Sequence, residues 1–337
     1  MTTLVTGASG FLGTALVKAL SARAVKPLRC MVRDDAGIER LRRMNTESGH
    51  AELSFVKGDL TRPADAKNAM DGVDVVFHLA AGTKGSPAEL FQNTVVGSKN
   101  LLDVVGAREL RKVILVSSFG VYGVSDLASG ALIDEGTAVE EHPEKRDPYS
   151  YSKWRQEKLF WEYRERYRFP LVVLRPGVIY GPGGAAMSSR VGISVFGLFL
   201  HLGGSNLLPL TYVDNCADAI CVAAGHERSD GEVYNVVDDD LPTSKQFLTR
   251  YRRRVRPIKY LRVPYPALRT ISGWVERYHV YSKGQLPPVL TPYKSACLWK
   301  GNSFDNSKLK GIGWRPGVTT DEGVARFLTY LRENGHR

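Results

Sequence analysis

The 337-residue sequence has only four cysteines, no low-complexity tract and no excess of proline or serine. Cys30, Cys216, Cys221 and Cys297 show neither the close pairing of a zinc site nor the density of a disulfide scaffold, so we expect a reducing compartment and no metal centre. The otherwise ordinary composition excludes the collagenous, coiled-coil and disordered classes.

A leader and a clear membrane span are also missing from the pattern. No basic segment precedes an apolar run at the N-terminus, so the sequence predicts no secretory signal and a cytoplasmic protein. Residues 191–213 carry no charged side chain and have the length of a membrane span, but Gly203, Gly204 and Pro209 interrupt them. We therefore expect a loop and a buried strand there.

Short β-branched runs alternate with stretches of helical period through the first half of the chain, which is typical of βαβ units around a parallel sheet. The expected strands are residues 3–6, 28–32, 53–56, 73–78, 112–117 and 171–174. Helices are expected at residues 11–20, 93–107 and 152–167. The chain is long enough for two packed units.

A glycine-rich turn follows the first expected strand. Gly7 permits a tight turn, Gly10 lets the backbone approach a pyrophosphate, and Gly13 lets the next helix pack close to the strand. That helix offers unpaired N–H groups and a positive dipole end to phosphates. The pattern predicts an α/β protein with a Rossmann-type doubly wound parallel sheet and a smaller C-terminal α/β substrate-binding domain.

The regular pattern fades after Arg175, where glycine and proline become frequent. We therefore expect a dinucleotide-binding domain over residues 1–175 and a substrate-binding domain over residues 176–337. Residues 233–236 again have a strand pattern, which leaves open a return of residues 207–237 to the first domain.

The end of the second expected strand bears on the choice of cofactor. It ends at Val32 and Arg33, without the acid that usually binds the ribose 2′-hydroxyl of NAD. Arg33 favours the 2′-phosphate of NADP instead. NAD is the alternative, because Asp34 and Asp35 could pair with Arg33 on the surface.

Tyr149 lies four residues before Lys153, which places both on one face of a helix. A phenol with a pKa near 10 is a poor base at neutral pH, but a neighbouring ammonium stabilises the phenolate and lowers that pKa. Such a pair can give a proton to a carbonyl oxygen or take one from a hydroxyl. On its own the spacing is also that of a common surface pair.

Several motifs accompany this pair in a fixed order along the chain. They are Gly7-x-x-Gly10-x-x-Gly13, Asp59-Leu60, His78-Leu79-Ala80-Ala81, Val116-Ser117-Ser118-Phe119-Gly120-Val121-Tyr122-Gly123, Tyr149-x-x-x-Lys153 and Arg175-Pro176-Gly177. With these motifs the chain resembles the extended short-chain dehydrogenase/reductase family, which includes the NAD-dependent epimerase/dehydratase group. The resemblance covers nearly the whole chain, as far as Gly313-Trp314-Arg315-Pro316.

The resemblance implies an enzyme with Ser118, Tyr149 and Lys153 as catalytic residues. Ser118 matches the hydroxyl that holds the substrate oxygen. Tyr149 matches the proton donor or acceptor, and Lys153 matches the residue that binds the nicotinamide ribose and lowers the tyrosine pKa. Together with Tyr149 and Lys153, the implied cofactor contacts are Gly7, Ser9, Gly10, Phe11, Leu12, Gly13, Arg33, Asp59, Leu60, Leu79, Ala80, Ala81 and Pro176.

Three departures from the family pattern narrow the expected chemistry. Phe119 and Gly120 stand where dehydratase and decarboxylase members carry acids, which disfavours elimination and decarboxylation. Leu208 stands where sugar-nucleotide members tend to place an arginine that grips a diphosphate. Arg190 is either a substitute for that arginine or an exposed loop residue.

The uncharged residues 191–200 lie in the part of the chain that shapes the substrate pocket in this family. They form either the wall of an apolar pocket or a core helix of the small domain. We therefore expect an NADP(H)-dependent oxidoreductase that interconverts a hydroxyl and a ketone on a fairly apolar small molecule. The alternatives are a nucleotide-sugar epimerase or reductase acting through a 4-keto intermediate, and a non-catalytic dinucleotide-sensing protein.

Other partners are suggested by the surface pattern of a chain with a net charge of +11. The basic run at residues 250–262 is either one solvated helix face or a patch for weak contact with an anionic membrane, helped by Trp274, Tyr278 and Tyr281. No recognition motif accompanies it, so nucleic-acid binding is not expected. The apolar residues of the helix at residues 152–163 cover more than one stripe, which predicts a homodimer through this helix and residues 93–107.

Overall fold

The computed structural model describes residues 1–48, 53–106, 108–195, 197–282 and 290–334. The strands of these ranges are β1 Thr2–Thr6, β2 Leu28–Val32, β3 Leu53–Lys57, β4 Val73–His78, β5 Lys112–Val116, β6 Leu132–Ile133, β7 Leu171–Pro176, β8 Val178–Tyr180, β9 Gly192–Val195, β10 Leu198–His201, β11 Leu210–Tyr212, β12 Val233–Val236, β13 Tyr260–Arg262 and β14 Ser303–Phe304.

Helices of the same ranges connect these strands. They are α1 Phe11–Ala22, α2 Asp35–Ser48, α3 Pro63–Ala69, α4 Pro87–Phe91, α5 Gly97–Val105, α6 Pro148–Tyr167, α7 Val213–Gly225, α8 Ser244–Arg254, α9 Tyr265–Tyr281, α10 Pro292–Trp299, α11 Ser307–Gly311 and α12 Thr320–Glu333. A π-helical turn, Gln92–Val96, joins α4 to α5. The expected helix at residues 93–107 therefore begins as this turn, and residue 107 lies outside the described residues.

Seven strands of the described chain form one parallel sheet in the order β3-β2-β1-β4-β5-β7-β12. The strand order reverses between β1 and β4, so the connections on either side of this point leave a crevice at the carboxyl ends of the strands. The Rossmann-type doubly wound sheet expected from the sequence is confirmed.

The central strands are apolar on both faces because each face is covered by helices. Side chains alternate across β1, so Leu4 joins one core and Val5 the other. The core around Val5 includes Ile220 of α7, while the core around Leu4 includes Phe160 of α6. Both helices are thereby fixed against the sheet.

After β8 to β11, which lie outside the main sheet, the chain returns to that sheet as β12. β12 (Val233–Val236) pairs in parallel with β7, and α7 packs on α1. A separate core gathers Tyr180, Phe247 and Leu328 from β8, α8 and α12.

Residues 191–200 do not form the core helix that was one of the two expectations. Gly192–Val195 and Leu198–His201 pair as an antiparallel hairpin, which β13 extends on its β10 edge. The turn contains Gly197 with a φ of +79°, a conformation that favours glycine. Phe196 lies outside the described residues.

Two features are absent from the described residues, namely a membrane-spanning helix and a group of metal ligands. None of its helices is both long and apolar enough to cross a membrane. The same ranges contain no group of histidine, cysteine and acidic side chains suited to a metal ion.

Candidate active site

The glycine turn between β1 and α1 leaves no room for side chains. Gly7 has a φ of +68°, and a β-carbon there would lie 2.9 Å from the backbone nitrogen of Ala80. A β-carbon on Gly13 would overlap the carbonyl oxygen of Gly7 and lie 2.7 Å from that of Ala8. The turn therefore packs directly on the backbone that follows β4 and on the first turns of α1.

Gly10 is the N-cap residue of α1 and supplies no side chain to the first N–H groups of the helix. These groups have no partner within an α-helix and attract anions. They line a cleft of about 1030 Å³ that runs over the carboxyl ends of the strands. The glycine turn and open helix end fit the pyrophosphate of a dinucleotide, so these residues could hold NAD or NADP.

The side chain of Arg33 lies at the same end of the cleft. Its Nη2 donates to Oδ1 of Asn93 at 2.9 Å, and its Nε lies 3.9 Å from the Asp59 carboxylate. Asp34 accepts from the backbone of Gly37 instead, and Asp35 pairs with Lys57. The pairing of Arg33 with Asp34 or Asp35 that the sequence left open is not formed.

Ser118 follows β5 and begins a short 3-10 turn, Phe119–Val121. Its Oγ accepts a hydrogen bond from the backbone of Gly120 at 3.0 Å. Tyr149 comes from the first turn of α6, which the Asp147 side chain caps by accepting from the backbone of Ser150. Burial raises the pKa of the Tyr149 phenol, and its hydrogen bond with Ser118 lowers it in part. Ser118 and Tyr149 both line the cleft.

Lys153 is buried one helical turn beyond Tyr149. Its Nζ donates to the carbonyl oxygen of Val116 at 2.7 Å and to Oε1 of Gln156. Burial lowers the pKa of Lys153 to about 7, while the Glu157 carboxylate acts in the opposite direction. The ammonium is therefore held by fixed acceptors rather than by contact with the phenol.

A buried polar chain leads from Lys153 into the sheet. Nε2 of Gln156 donates to the Ser98 hydroxyl at 2.7 Å and lies 3.2 Å from Nε2 of His78. His78 also bonds the hydroxyl of Thr6 at 2.8 Å. Burial and the charge of Lys153 lower the pKa of His78 to about 3, so this ring is neutral at physiological pH. These hydrogen bonds orient α6, and the neutral His78 ring adds no second charge beside Lys153.

The other end of the cleft belongs to the later part of the chain. Leu290, Lys294, Cys297, Leu298 and Trp299 lie there, four of them on α10. Ser188, Ser189 and Arg190 contribute from the turn before β9, and Arg146 from the segment before α6. This wall is a mixture of apolar and basic groups.

The structure brings nearly all the expected site residues to this cleft. Its lining contains Gly7, Ser9, Gly10, Phe11, Leu12, Gly13, Arg33, Leu60, Leu79, Ala80, Ala81, Ser118, Tyr149, Lys153 and Pro176. Asp59 is not among the lining residues, since Oδ1 of its carboxylate accepts from the backbone of Thr61 and the other oxygen faces Arg33. Leu208 is buried in a core, whereas the neighbouring Pro209 reaches the cleft.

Two sequence interpretations of the substrate region are wrong. The described residues of 191–200 do not line the cleft, because the hairpin turns them towards β13 and a separate core. Arg190 is not an exposed loop residue, because its side chain lies against the cleft wall. Sequence reasoning missed the α10 residues, which stand in no recognisable motif.

Comparison with known proteins addresses the family directly. A model of the NAD dependent epimerase/dehydratase family matches residues 3–236. The chain belongs to this family. The expected resemblance to extended short-chain dehydrogenases/reductases is confirmed, and the protein is an oxidoreductase of the NAD-dependent epimerase/dehydratase type.

Among curated proteins, the sterol-4-alpha-carboxylate 3-dehydrogenase, decarboxylating, of Candida albicans is 28% identical over 98% of this chain and 97% of its own length. The 2-alkyl-3-oxoalkanoate reductase of Shewanella oneidensis is also 28% identical, over 97% of this chain and 85% of its own. The solved UDP-glucuronic acid 4-epimerase of Bacillus cereus, in complex with UDP-glucuronic acid and NAD, superposes with a TM-score of 0.72. It covers 99% of this chain and 100% of its own at 20% identity, which shows the shared fold.

Proposed function

We propose that this epimerase/dehydratase family member interconverts a hydroxyl and a ketone on a fairly apolar small molecule, with Ser118, Tyr149 and Lys153 as its catalytic groups. The observation that carries the proposal is that Ser118, Tyr149 and Lys153 line the same cleft as the glycine turn. The names of the two curated relatives, a sterol-acid dehydrogenase and an oxoalkanoate reductase, support an apolar substrate.

The chemistry assigns a separate task to each side chain. Ser118 holds the substrate oxygen by a hydrogen bond, and Tyr149 gives that oxygen a proton during reduction or removes it during oxidation. Lys153 lies one helical turn beyond Tyr149, and its protonated form favours the phenolate. A bound nicotinamide would supply a hydride to the carbon that carries this oxygen during reduction and would accept it during oxidation.

Substitution of Tyr149 tests the proposal. Tyr149→Phe removes the proton carrier, and we expect it to abolish turnover of ketones and alcohols while dinucleotide affinity stays nearly unchanged. Lys153→Met should weaken dinucleotide affinity as well. Tyr151→Phe is the matched control, since Tyr151 lies on the same helix and stacks on Phe91 and Trp154. Activity of Tyr149→Phe equal to that of this control would reject the assignment.

NADP(H) is the cofactor that we propose for this site. Arg33 is supported in the cleft by Asn93, and neither Asp34 nor Asp35 neutralises it. A guanidinium at this point accommodates a 2′-phosphate. NAD, which the solved Bacillus cereus relative contains, is the alternative.

A homodimer through α5 and α6 also belongs to the proposal. Trp154, Trp161 and Tyr163 on α6 are only partly covered within one chain, and Tyr167 is exposed. Burial of such aromatic side chains stabilises association. Sedimentation should give a dimer mass that persists on dilution, and a monomer mass at all concentrations would reject it.

Weak contact with an anionic membrane is the remaining proposed partner interaction. Ile271, Trp274, Tyr278 and Tyr281 form an exposed stripe along α9, and the Trp274 side chain is 64% exposed. Exposed basic residues at the end of α8 and on β13 lie before this helix in the chain. Aromatic side chains beside positive charge suit the surface of an anionic bilayer.

Vesicle sedimentation separates this contact from a merely solvated basic face. We expect binding to phosphatidylserine vesicles that falls when Trp274→Ser and Tyr278→Ser are combined, whereas Leu132→Ser, at an exposed apolar residue of β6, should have no effect. Equal binding to neutral phosphatidylcholine vesicles, or no loss in the double variant, would contradict it.

A further inference from the structure

Arg190 lies in the turn before β9, and that turn is fixed on both sides. The indole Nε1 of Trp299 donates to the carbonyl oxygen of Ser189 at 3.0 Å. Gly203 packs so closely against the carbonyl oxygen of Arg190 that a β-carbon there would overlap it. The backbone of Arg190 is thus held in place while its side chain lines the cleft that contains Tyr149.

The guanidinium of Arg190 has no carboxylate within ion-pair distance among the described residues, in contrast with its neighbour Arg146. Arg146 pairs with Glu140 at 2.9 Å, and Tyr293 also donates to that carboxylate. Asp147, the other acid nearby, accepts from the backbone and hydroxyl of Ser150.

The charge of Arg190 persists in this setting. Burial and the adjacent Arg146 lower the pKa of Arg190 to about 10, so the guanidinium is still protonated at neutral pH. A partly buried cation without a paired anion lacks a counter-charge. An anion placed against it accepts a charge-assisted hydrogen bond. The site is therefore complementary to negative charge.

The surroundings of Arg190 restrict the kind of anion. Leu290, Leu298, Cys297 and Trp299 line the same end of the cleft and offer apolar surface to the rest of the ligand. A ligand that fits both features has an apolar body and one anionic oxygen group. The planar guanidinium fork matches the two oxygens of a carboxylate.

We propose that Arg190 binds a carboxylate on the substrate and thereby selects apolar hydroxy acids and oxo acids over uncharged alcohols and ketones. The proposal rests on the proposed function, since it names the substrate class of the same cleft. A phosphate would satisfy the same fork, so the experiment includes a nucleoside diphosphate as the second source of anionic oxygens.

The test measures ligand binding to a variant that is expected not to convert the ligand. Calorimetry on cofactor-loaded Tyr149→Phe compares 3-hydroxydecanoate with its methyl ester, which has the same body without the charge. We expect the acid to bind about 10-fold or more tightly than the ester, and this preference to vanish when Arg190→Ala is added. Arg190→Lys, which keeps the charge without the fork, should retain part of the preference.

The outcomes separate the two proposals. Equal binding of acid and ester, or an unchanged preference in the Arg190→Ala background, overturns the carboxylate site. Micromolar binding of UDP that is lost in Arg190→Ala also overturns it and assigns the cation to a diphosphate. Arg252→Ala, a substitution on the exposed end of α8, is the control and should leave every affinity unchanged. If the proposed function fails, the wild-type protein will instead bind the acid but will not turn it over.

Discussion

Arg175 on β7 and Glu157 on α6 form an ion pair that is almost completely shielded from water. Nε of Arg175 lies 3.2 Å from each carboxylate oxygen, and the two side chains are 5% and 4% exposed. The guanidinium also lies 4.6 Å from the ring centroid of Tyr122. The pair ties the helix that carries Tyr149 and Lys153 to the carboxyl end of β7.

Glu157→Ala should therefore destabilise the protein strongly. Removal of one partner leaves a buried charge without compensation, which costs about 3–5 kcal/mol of unfolding free energy. Glu162→Ala breaks the partly exposed pair with Arg155 on the same helix and should cost less than about 1 kcal/mol. Urea unfolding of both variants measures the difference, and similar losses would show that burial does not matter here.

Alanine should have opposite effects at two glycines. Gly13→Ala places a β-carbon onto the Gly7 carbonyl oxygen, so we expect lost dinucleotide affinity and a lower melting temperature. At Gly273, in the interior of α9, no atom outside the adjacent backbone of the helix lies within 4 Å of a new β-carbon. Gly273→Ala should stabilise by about 0.5–1 kcal/mol, because alanine favours the helix. Thermal unfolding and dinucleotide titration check both signs.

Arg33→Ala should reduce the affinity for NADP(H) by about 1.5–3 kcal/mol, because the 2′-phosphate loses a charge-assisted hydrogen bond. The affinity for NAD(H), which has no 2′-phosphate, should change little. Fluorescence titration of the reduced cofactors gives both constants. Arg23→Ala, which removes a surface pair with Asp218 beyond the far end of α1, should change neither. Equal affinity of the wild type for both cofactors would argue against NADP.

Asp238 should make stability depend on pH. Burial raises the pKa of this carboxyl to about 6, although Asn215 and the backbone of Tyr212 donate to it. The folded state thus holds the proton more tightly than the unfolded state, so the contribution of this group is present below about pH 4 and is lost as the pH rises through about 6.

The loss should amount to about 3 kcal/mol, at about 1.36 kcal/mol for each pKa unit between the folded and unfolded values. Asp238→Asn removes the titration and keeps the shape. The unfolding free energy of wild type relative to this variant should fall across the window, and a constant difference would refute the prediction.

The end of the cleft at the glycine turn was predictable because its signals are local. The turn from Gly7 to Gly13 requires glycine for steric reasons that act within one strand–helix connection. The switch from β-branched to helical patterning likewise fixed strands such as Val73–His78. Neighbours in sequence supply both constraints, so one sequence suffices to recognise them.

The end of the cleft formed by α10 and the turn before β9 depends on contacts between distant segments. Residues 191–200 are uncharged, which suits a buried helix as well as the hairpin that forms, and β13 decides the outcome from more than fifty residues later in the chain. Trp299 reaches the turn of Ser189 across 110 positions of sequence. No periodicity within α10 announces that its side chains will line a cleft.

The core that contains Val5 of β1 is built from segments far apart in the sequence, which limits where the chain can be truncated. It contains Val5 and Leu16, but also Ile220 of α7 and Trp314 near the C-terminus, and Nε1 of Trp314 donates to the carbonyl oxygen of Asn215. A fragment ending at residue 175 would lose the helix that covers α1 and the strand that pairs with β7. We therefore expect such a fragment, expressed alone, to expose the apolar surfaces that α7, β12 and Trp314 cover in the full chain, and to aggregate.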